Sequence, residues 1–396
     1  MAGADQPPIE TDVPRRFDLI DLLRGLVLVL MVLDHTRDYF HRDALLFDPL
    51  DLEKTTPILF FTRWITHLCA PTFVFLAGVS ICLQQARGKT EWRLSGYLLT
   101  RGLWLIALEV TVVSFGFNFQ FPFFFLQVIF ALGVGMILMS VLHWLPGRSV
   151  LIIGVVLIAG HGLLGGIKAE SLQGTDQIIW RLAMEPGGLG TLPGMIIYPV
   201  IPWLGIMCLG YGLGPVFRME TLARRRAIIL LAAGFLGLCL ILRLPNLYGD
   251  QAPWEWQSNP GLMVLDILNV SKYPPSLDYT LLTLGLAMCA ILTLSHLPKF
   301  MQTPLLVFGR TPFLTYLLHI YIVHTGALLL GLAQGIPLAH FTNFLGNPGQ
   351  LARDGWGISL WQVYVVWLVT LSLLYPVSRL YAQYRMRHRK WWLSYL

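Results

Sequence analysis

The sequence predicts an all-α fold, a polytopic integral membrane helix bundle of about ten transmembrane helices. The chain has 396 residues, of which 55% are apolar and only 13% are charged. Soluble domains carry roughly one-quarter charged residues, so a soluble chain of this composition would lack the ionic surface that it needs. The apolar residues also come in blocks of about twenty, the length that crosses a bilayer core as a helix.

Ten apolar blocks are long enough to be interpreted as membrane spans. Strands of a closed barrel would show shorter segments of alternating polarity, so each block is predicted to be a helix. The ten predicted spans are 19–36, 58–83, 94–117, 121–142, 150–167, 192–217, 227–244, 278–297, 312–331 and 358–381.

The distribution of basic residues predicts the orientation of these spans. With the N-terminus in the cytoplasm, cytoplasmic segments carry about twice as many Lys and Arg residues as external ones. An even number of spans then places both termini inside, N-in and C-in. The formal net charge of +6 is thereby explained as a cytoplasmic rim that faces anionic lipid, so no nucleic-acid partner is expected.

Three regions are expected along the chain. Residues 1–12 are Pro-rich and acidic without the layout of a cleavable signal peptide, and residues 1–16 are predicted to form a disordered cytoplasmic tail. Residues 17–384 form the membrane domain. Residues 385–396 mix basic and aromatic side chains, as is typical of an interfacial cytoplasmic segment. Five cysteines fall inside apolar blocks without a CxxC pair, so neither a disulfide framework nor a zinc site is predicted.

The first span carries the leading candidates for function, Arg24 and His35. Eleven steps of about 100° return to the same helix face, roughly 16 Å further along the axis. Ionisable groups inside spans are costly and are therefore functional candidates. Arg24 would anchor an anionic ligand near the cytoplasm, and His35 would act as a base near the outside, with Asp34 beside it to orient it. The alternative is that Arg24 reaches the cytoplasmic surface and His35 merely ends the helix.

The second span places Arg63 and His67 one turn apart, and His41 follows the first span. If these antiparallel neighbours pack together, the three side chains share an external cavity with Asp34 and His35. Histidine is the natural proton acceptor there because its pKa lies near neutrality. Arg63 would otherwise form an ion pair with a loop carboxylate. No HxxxH or HExxH spacing occurs, so no metal site is predicted.

Later spans supply weaker candidates. Arg101 and Glu109 in the third span are interpreted as members of interhelical salt bridges. Gln127 in the fourth span is expected to hydrogen-bond between helices, with a ligand contact as the alternative. Arg310 belongs to the helix start GRTP, whose free amides can hold a phosphate. His319 lies at mid-membrane depth in the ninth span.

Two consecutive stretches resemble the catalytic domain of heparan-α-glucosaminide N-acetyltransferases and their bacterial relatives: FDLIDLLRGLVLVLMVLDHTRDYFH and FFTRWITHLCAPTFVFLAGVSICL. A late helix of the same bacterial group is similar to FGRTPFLTYLLHIYIVH. The spacing of Arg24 and His35 also resembles a first-helix motif of family-three membrane acyltransferases and glucan succinyltransferases. The matching segments are 17–41, 60–83, 126–133 and 308–324.

This resemblance implies transfer of an acetyl or other acyl group from cytosolic acyl-CoA, across the membrane, to an amine or hydroxyl of a sugar or glycoconjugate. Acetyl-CoA is then a co-substrate, and no tightly bound cofactor is implied. Arg24, Arg310, Gln127 and His319 are assigned to the CoA side. Arg63 is assigned to the oxyanion or to anionic groups of the acceptor.

The human-type enzymes place an active histidine in the loop after the first helix, but this chain has no histidine at the equivalent position near Pro57. An asparagine of those enzymes corresponds to His35. His35 is therefore the first choice for the base, with His41 and His67 as alternates. The expected location is a bacterial inner membrane.

The rival interpretation is a secondary transporter that uses the same buried charges as a substrate or proton pathway. The sequence shows neither an internal repeat nor matched broken helices, which many transporters have. The sequence leaves open the acceptor, the acyl chain, and the choice between direct transfer and an acyl-histidine. It also leaves open whether the chain forms a homo-dimer.

Overall fold

The computed structural model describes residues 18–346, 348–388, 390 and 393. The helices are α1 (Asp18–Phe40), α2 (Pro57–Trp64), α3 (Cys69–Gln85), α4 (Glu91–Leu108), α5 (Ser114–Asn118), α6 (Val128–Leu142), α7 (Gly147–Gly160), α8 (Gly174–Ala183), α9 (Val200–Leu213), α10 (Thr221–Arg243), α11 (Pro260–Leu268), α12 (Leu277–Leu294), α13 (Lys299–Arg310), α14 (Pro312–Ala333), α15 (Leu338–Phe341), α16 (Pro348–Arg353) and α17 (Leu360–Arg387). The strands are β1 (Phe124–Leu126), β2 (Gly187–Gly188) and β3 (Gly194–Ile196).

The fold is that of an all-α polytopic membrane protein. Within the described residues, eight helices or joined helical segments are long and apolar enough to cross a bilayer. They are Pro57–Gln85, Glu91–Asn118, Gly147–Leu164, Val200–Arg218, Thr221–Arg243, Leu277–Leu294, Pro312–Ala333 and Leu360–Arg387. The other two predicted spans also contain helices, α1 and α6. α1 differs from the eight by its many charged side chains, and α6 has only 15 residues.

The predicted fourth span, 121–142, is wrong in its first third, because the helix begins only at Val128. β1 pairs in parallel with β3, which pairs antiparallel with β2. The backbone groups of residues 124–126 are therefore satisfied by strand pairing and not by a helix. Gln127 is extended and directly precedes α6, so it is not a residue inside a membrane helix.

α1 is surrounded by other helices and contacts α3, α12, α13, α14 and α17. Its approach to α13 is very close. A Cβ atom added to Gly25 would lie 1.9 Å from the Leu305 carbonyl oxygen, and one added to Gly309 would lie 1.8 Å from that of Asp21. Small residues permit such contacts between backbones, which van der Waals packing then stabilises.

α13 has no counterpart among the predicted spans. Its 12 residues are too few to cross a bilayer, and it packs along the half of α1 that carries Arg24. Beyond the other end of α1, Trp356 donates a hydrogen bond to the Tyr39 carbonyl at 2.9 Å. The predicted tail 1–16 lies outside the described residues, and the predicted tail 385–396 begins inside α17.

Candidate active site

Two cavities lie along α1, one at each end of the stripe that joins Arg24 to His35. The Arg24 cavity has a volume of about 600 Å³, and the His35 cavity has a volume of about 260 Å³. Both cavities are lined by the same four residues: Met31, Phe73, Val128 and Tyr316. These four residues form a neck at which the cavities meet. Arg24 and His35 each line one of these two adjoining cavities, and helical periodicity places both on one face of α1.

The Arg24 cavity is basic at its wide end. Its cationic lining residues are Arg24, Arg101, Arg310 and Arg385. Arg24 forms an ion pair with Asp21 at 2.9 Å and donates to the Gly309 carbonyl at 3.2 Å. Arg310 pairs with Asp18 at 3.0 Å. Four guanidinium groups near two carboxylates leave a net positive cavity, which favours an anionic ligand.

His35 contacts His319 of α14, which lies behind the wall of the His35 cavity. The two ring planes differ by only 7°, and His35 Nδ1 lies 2.7 Å from His319 Nε2. The remaining nitrogen of His319, Nδ1, lies 3.2 Å from the Thr315 carbonyl oxygen. Because a carbonyl can only accept, we assign the proton of His319 to Nδ1. His319 Nε2 then accepts the Nδ1 proton of His35.

This tautomer leaves the lone pair of His35 Nε2 available. In the described part of the chain no residue hydrogen-bonds that nitrogen, and the half-buried ring lines the cavity. A neutral imidazole with a fixed tautomer can take a proton from a nucleophile. The His35–His319 pair is therefore suited to general-base chemistry, with His319 holding the orientation.

Asp34 has partners other than His35. Its carboxylate pairs with Arg37 at 2.7 Å and with Arg63 at 3.6 Å, and it accepts a hydrogen bond from the Thr66 hydroxyl at 2.8 Å. The expectation that Asp34 orients the His35 imidazole is not met in the described residues, because His319 occupies that role. Asp34 instead holds two cations beside the His35 cavity.

The alternate bases do not line the His35 cavity. His67 is 2% exposed and packs edge-on against Tyr279, and neither of its ring nitrogens has a hydrogen-bond partner in the described residues. His41 lies just past α1, where its Nδ1 accepts the Ala44 N–H at 3.2 Å. Burial lowers the pKa of His41, which favours the neutral ring.

Glu109 does not form the expected interhelical salt bridge with any described residue. Its buried Oε1 accepts the backbone N–H of Gln127 at 2.5 Å. Glu109 starts a short π-helical segment, Glu109–Val113, which turns the carboxylate toward the strand that precedes Gln127. This hydrogen bond ties Gln127 to the edge of the His35 cavity. Arg101, its predicted companion, lines the Arg24 cavity.

Sequence reasoning missed several residues of the site. Lys272 and Tyr273, from the loop before α12, line the His35 cavity, and Tyr316 lines both cavities. The position of Tyr316, three residues before His319, was the available signal, because residues at this spacing share a helix face. No group of three or more His, Cys, Asp or Glu side chains in the described ranges is arranged to hold a metal ion.

A comparison with known families gives one match. The family model described as heparan-alpha-glucosaminide N-acetyltransferase, catalytic, matches residues 16–242. This range includes α1 with Arg24 and His35, and it ends before α14 with Tyr316 and His319. No curated protein matches the chain.

Proposed function

Because the chain belongs to the family of heparan-alpha-glucosaminide N-acetyltransferase catalytic domains, which are transmembrane acetyltransferases, we propose that it moves an acyl group across a membrane. The donor is cytosolic acetyl-CoA or another acyl-CoA, and the acceptor is an amine or hydroxyl of a sugar or glycoconjugate on the external face. The membrane is a bacterial inner membrane, with both termini of the chain inside.

One observation carries this proposal, the passage formed by the two cavities and the neck between them. Its basic end suits the phosphates of CoA, because guanidinium groups bind phosphate oxygens in charge-assisted pairs. Arg24 and Arg310, whose ion pairs with Asp21 and Asp18 are only partly buried, exchange those carboxylates for phosphate. The acyl-pantetheine arm then extends along α1 into the apolar neck.

At the other end, His35 accepts the proton. The nucleophilic nitrogen or oxygen of the acceptor attacks the thioester carbonyl carbon while His35 Nε2 takes its proton. The new C–N or C–O bond forms, the C–S bond breaks, and the CoA thiolate leaves with the proton that the His35 imidazolium returns to it. His319 keeps Nε2 of His35 unprotonated before the step, and Asp34 helps to stabilise the imidazolium formed in it.

Substituting His35 tests the proposal directly. The full-length protein is purified in detergent and given radiolabelled acetyl-CoA with glucosamine as the acceptor. His35→Ala is expected to lower turnover about 100-fold or more, the usual contribution of a general base. Binding of acetyl-CoA, measured by thermal shift, is expected to persist because Arg24 is intact.

His41→Ala and His67→Ala serve as matched controls and are expected to keep turnover. If His67→Ala abolishes transfer and His35→Ala does not, the base has been misassigned. If acetyl-CoA neither binds nor donates its acetyl group, while the protein moves solute in proteoliposomes without it, the transporter interpretation replaces this one.

A further inference from the structure

The neck and the adjoining wall of the His35 cavity each contain a buried polar atom without a partner among the described residues. Within the described residues, Tyr316 Oη and Gln127 Nε2 are both buried and make no hydrogen bond. Tyr316 is 4% exposed and Gln127 is 7% exposed. A buried polar group without a partner is destabilising, and native structures contain few of them. Two such groups, one in the neck and one in the adjoining wall of the His35 cavity, therefore indicate a binding site.

Both groups are held in place by the elements around them. The Glu109 carboxylate accepts the backbone N–H of Gln127 at the junction of β1 and α6, which fixes the residue at the cavity wall. Tyr316 precedes His319 by three residues on α14, and their ring centroids are 5.5 Å apart. The tyrosine hydroxyl is thus anchored to the same helix as the partner of the base.

We propose that Tyr316 and Gln127 form the oxyanion site of the reaction, which rests on the function proposed above. When the acceptor attacks, the C=O electron pair moves onto the carbonyl oxygen, and the Tyr316 O–H and Gln127 N–H donate hydrogen bonds to that oxygen. When the C–S bond breaks, the electron pair returns and the CoA thiolate leaves. Donors placed before the reaction are effective because they need no reorganisation.

The position agrees with the order of groups along the passage. A thioester that extends from the Arg24 cavity places its carbonyl at the neck, just before the acceptor meets His35. Arg63, the oxyanion candidate suggested by the sequence, is committed to Asp34 and to the Thr66 hydroxyl, which it contacts at 3.0 Å. An uncharged amide and hydroxyl can be buried at the apolar neck far more easily than an unpaired cation.

The competing interpretation is structural. The second carboxylate oxygen of Glu109, Oε2, is also buried without a partner among the described residues. If the Tyr316 hydroxyl donated to this oxygen, the hydroxyl would stabilise the bundle and have no part in the reaction. The two interpretations predict opposite effects on stability, because only a hydrogen bond inside the protein stabilises the folded state.

Tyr316→Phe separates them, with Tyr321→Phe as the matched control. Tyr321 lies on the same helix, but its hydroxyl donates to the Val112 carbonyl at 2.7 Å. Tyr316→Phe is expected to lower kcat about 100-fold with an unchanged melting temperature and unchanged affinity for acetyl-CoA. Tyr321→Phe is expected to lower the melting temperature by about 2 °C and to keep kcat.

Gln127→Met provides a second variant of similar volume without a donor, and it is also expected to lower kcat about 100-fold. If the wild-type protein transfers acetyl groups and both variants keep its kcat, the oxyanion site is wrong and the proposed function is unaffected. If Tyr316→Phe keeps the full kcat but loses stability as Tyr321→Phe does, the Tyr316 hydroxyl has a structural hydrogen bond to Glu109. A wild-type protein that neither binds acetyl-CoA nor transfers acetyl groups overturns the proposed function and this inference together.

Discussion

Among single residues, His319 decides which nitrogen of His35 carries a proton. Its Nδ1 faces the Thr315 carbonyl, so its Nε2 accepts from His35 Nδ1. The division of labour is that of a base and its orienting partner in hydrolytic triads, although the partner here is neutral. A neutral partner fits a site in which Asp34 is already paired with Arg37 and Arg63.

Substitution of His319 tests this assignment. His319→Ala removes the acceptor for His35 Nδ1–H, lets the ring rotate and change tautomer, and is expected to lower kcat about 100-fold. His319→Gln is expected to recover a measurable part of that loss, because its side-chain oxygen reaches the position of Nε2 and accepts the same proton. Steady-state kinetics with acetyl-CoA measure both variants. Equal loss in the two variants would indicate a packing role for His319.

The residues of the site were predictable only where they are local in sequence. The shared face of Arg24 and His35 follows from helical periodicity, which needs only eleven steps along the chain. The contact between His35 and His319 joins residues 284 positions apart, and periodicity within either helix cannot show which faces meet. The same limit explains why Asp34 was paired with the wrong partner.

Among the elements, α1 and α13 each supply a basic residue to the Arg24 cavity, Arg24 and Arg310. The two helices touch backbone to backbone at Gly25 and Gly309, and Arg24 donates across the contact to the Gly309 carbonyl at 3.2 Å. Gly309 is followed by Arg310, which faces the same cavity. The glycine contact therefore sets the distance between two of the basic residues that we assign to CoA.

A methyl group at this contact is expected to separate the helices. Gly309→Ala would bring Cβ to 1.8 Å from the Asp21 carbonyl oxygen, so α13 must move, at a cost of about 1–3 kcal/mol. The melting temperature is expected to fall, and the KM for acetyl-CoA is expected to rise because Arg24 and Arg310 move apart. Thermal unfolding and steady-state kinetics measure these two changes.

Gly237→Ala in α10 is the control for that variant. Among the described residues, no atom outside the adjoining turns of α10 lies within 4 Å of a Cβ placed there, so the substitution is expected to leave KM unchanged and to preserve stability. If Gly309→Ala behaves like Gly237→Ala, the two helices do not depend on this contact and the assignment of CoA to the cavity loses one of its supports.

The long apolar helices were predictable, because membrane spans need length and apolarity in one continuous stretch. α13 was not, since its 12 residues are amphipathic and interrupted by Pro304, a pattern that a loop also shows. β1 was missed because its residues, Phe124–Leu126, are as apolar as the helix that follows. Only pairing with distant β3 makes this segment a strand.

For the molecule as a whole, the apolar surface and the internal passage have separate locations. α10 and α17 expose large apolar side chains that face away from the bundle, among them Leu230, Ile241 and Leu368. Such faces suit contact with lipid, since lipid tails are as apolar as these side chains. The charged and histidine side chains of the site lie instead along the interior passage, which suits groups that are costly to place in hydrocarbon.

The orientation of this passage in the membrane is the remaining large-scale prediction. The bundle places the end of α3, with Gln84 of the Arg24 cavity, against residues 214–218, directly before α10. Arg225 at the start of α10 therefore lies at the end of the bundle that holds the Arg24 cavity. Glu53 lies in the loop that follows the His35 end of α1. Both side chains are exposed.

Single cysteines at these two positions report the orientation. The bias of basic residues places Arg225 inside, so a membrane-impermeant maleimide is expected to label Glu53→Cys in intact cells, and Arg225→Cys only after permeabilisation. The unsubstituted protein gives the background, because three of its five free cysteines are buried and two are half-buried. The opposite labelling pattern would show that the Arg24 cavity opens to the outside. Cytosolic acyl-CoA could then not reach its basic residues, and the direction of transfer proposed here would be wrong.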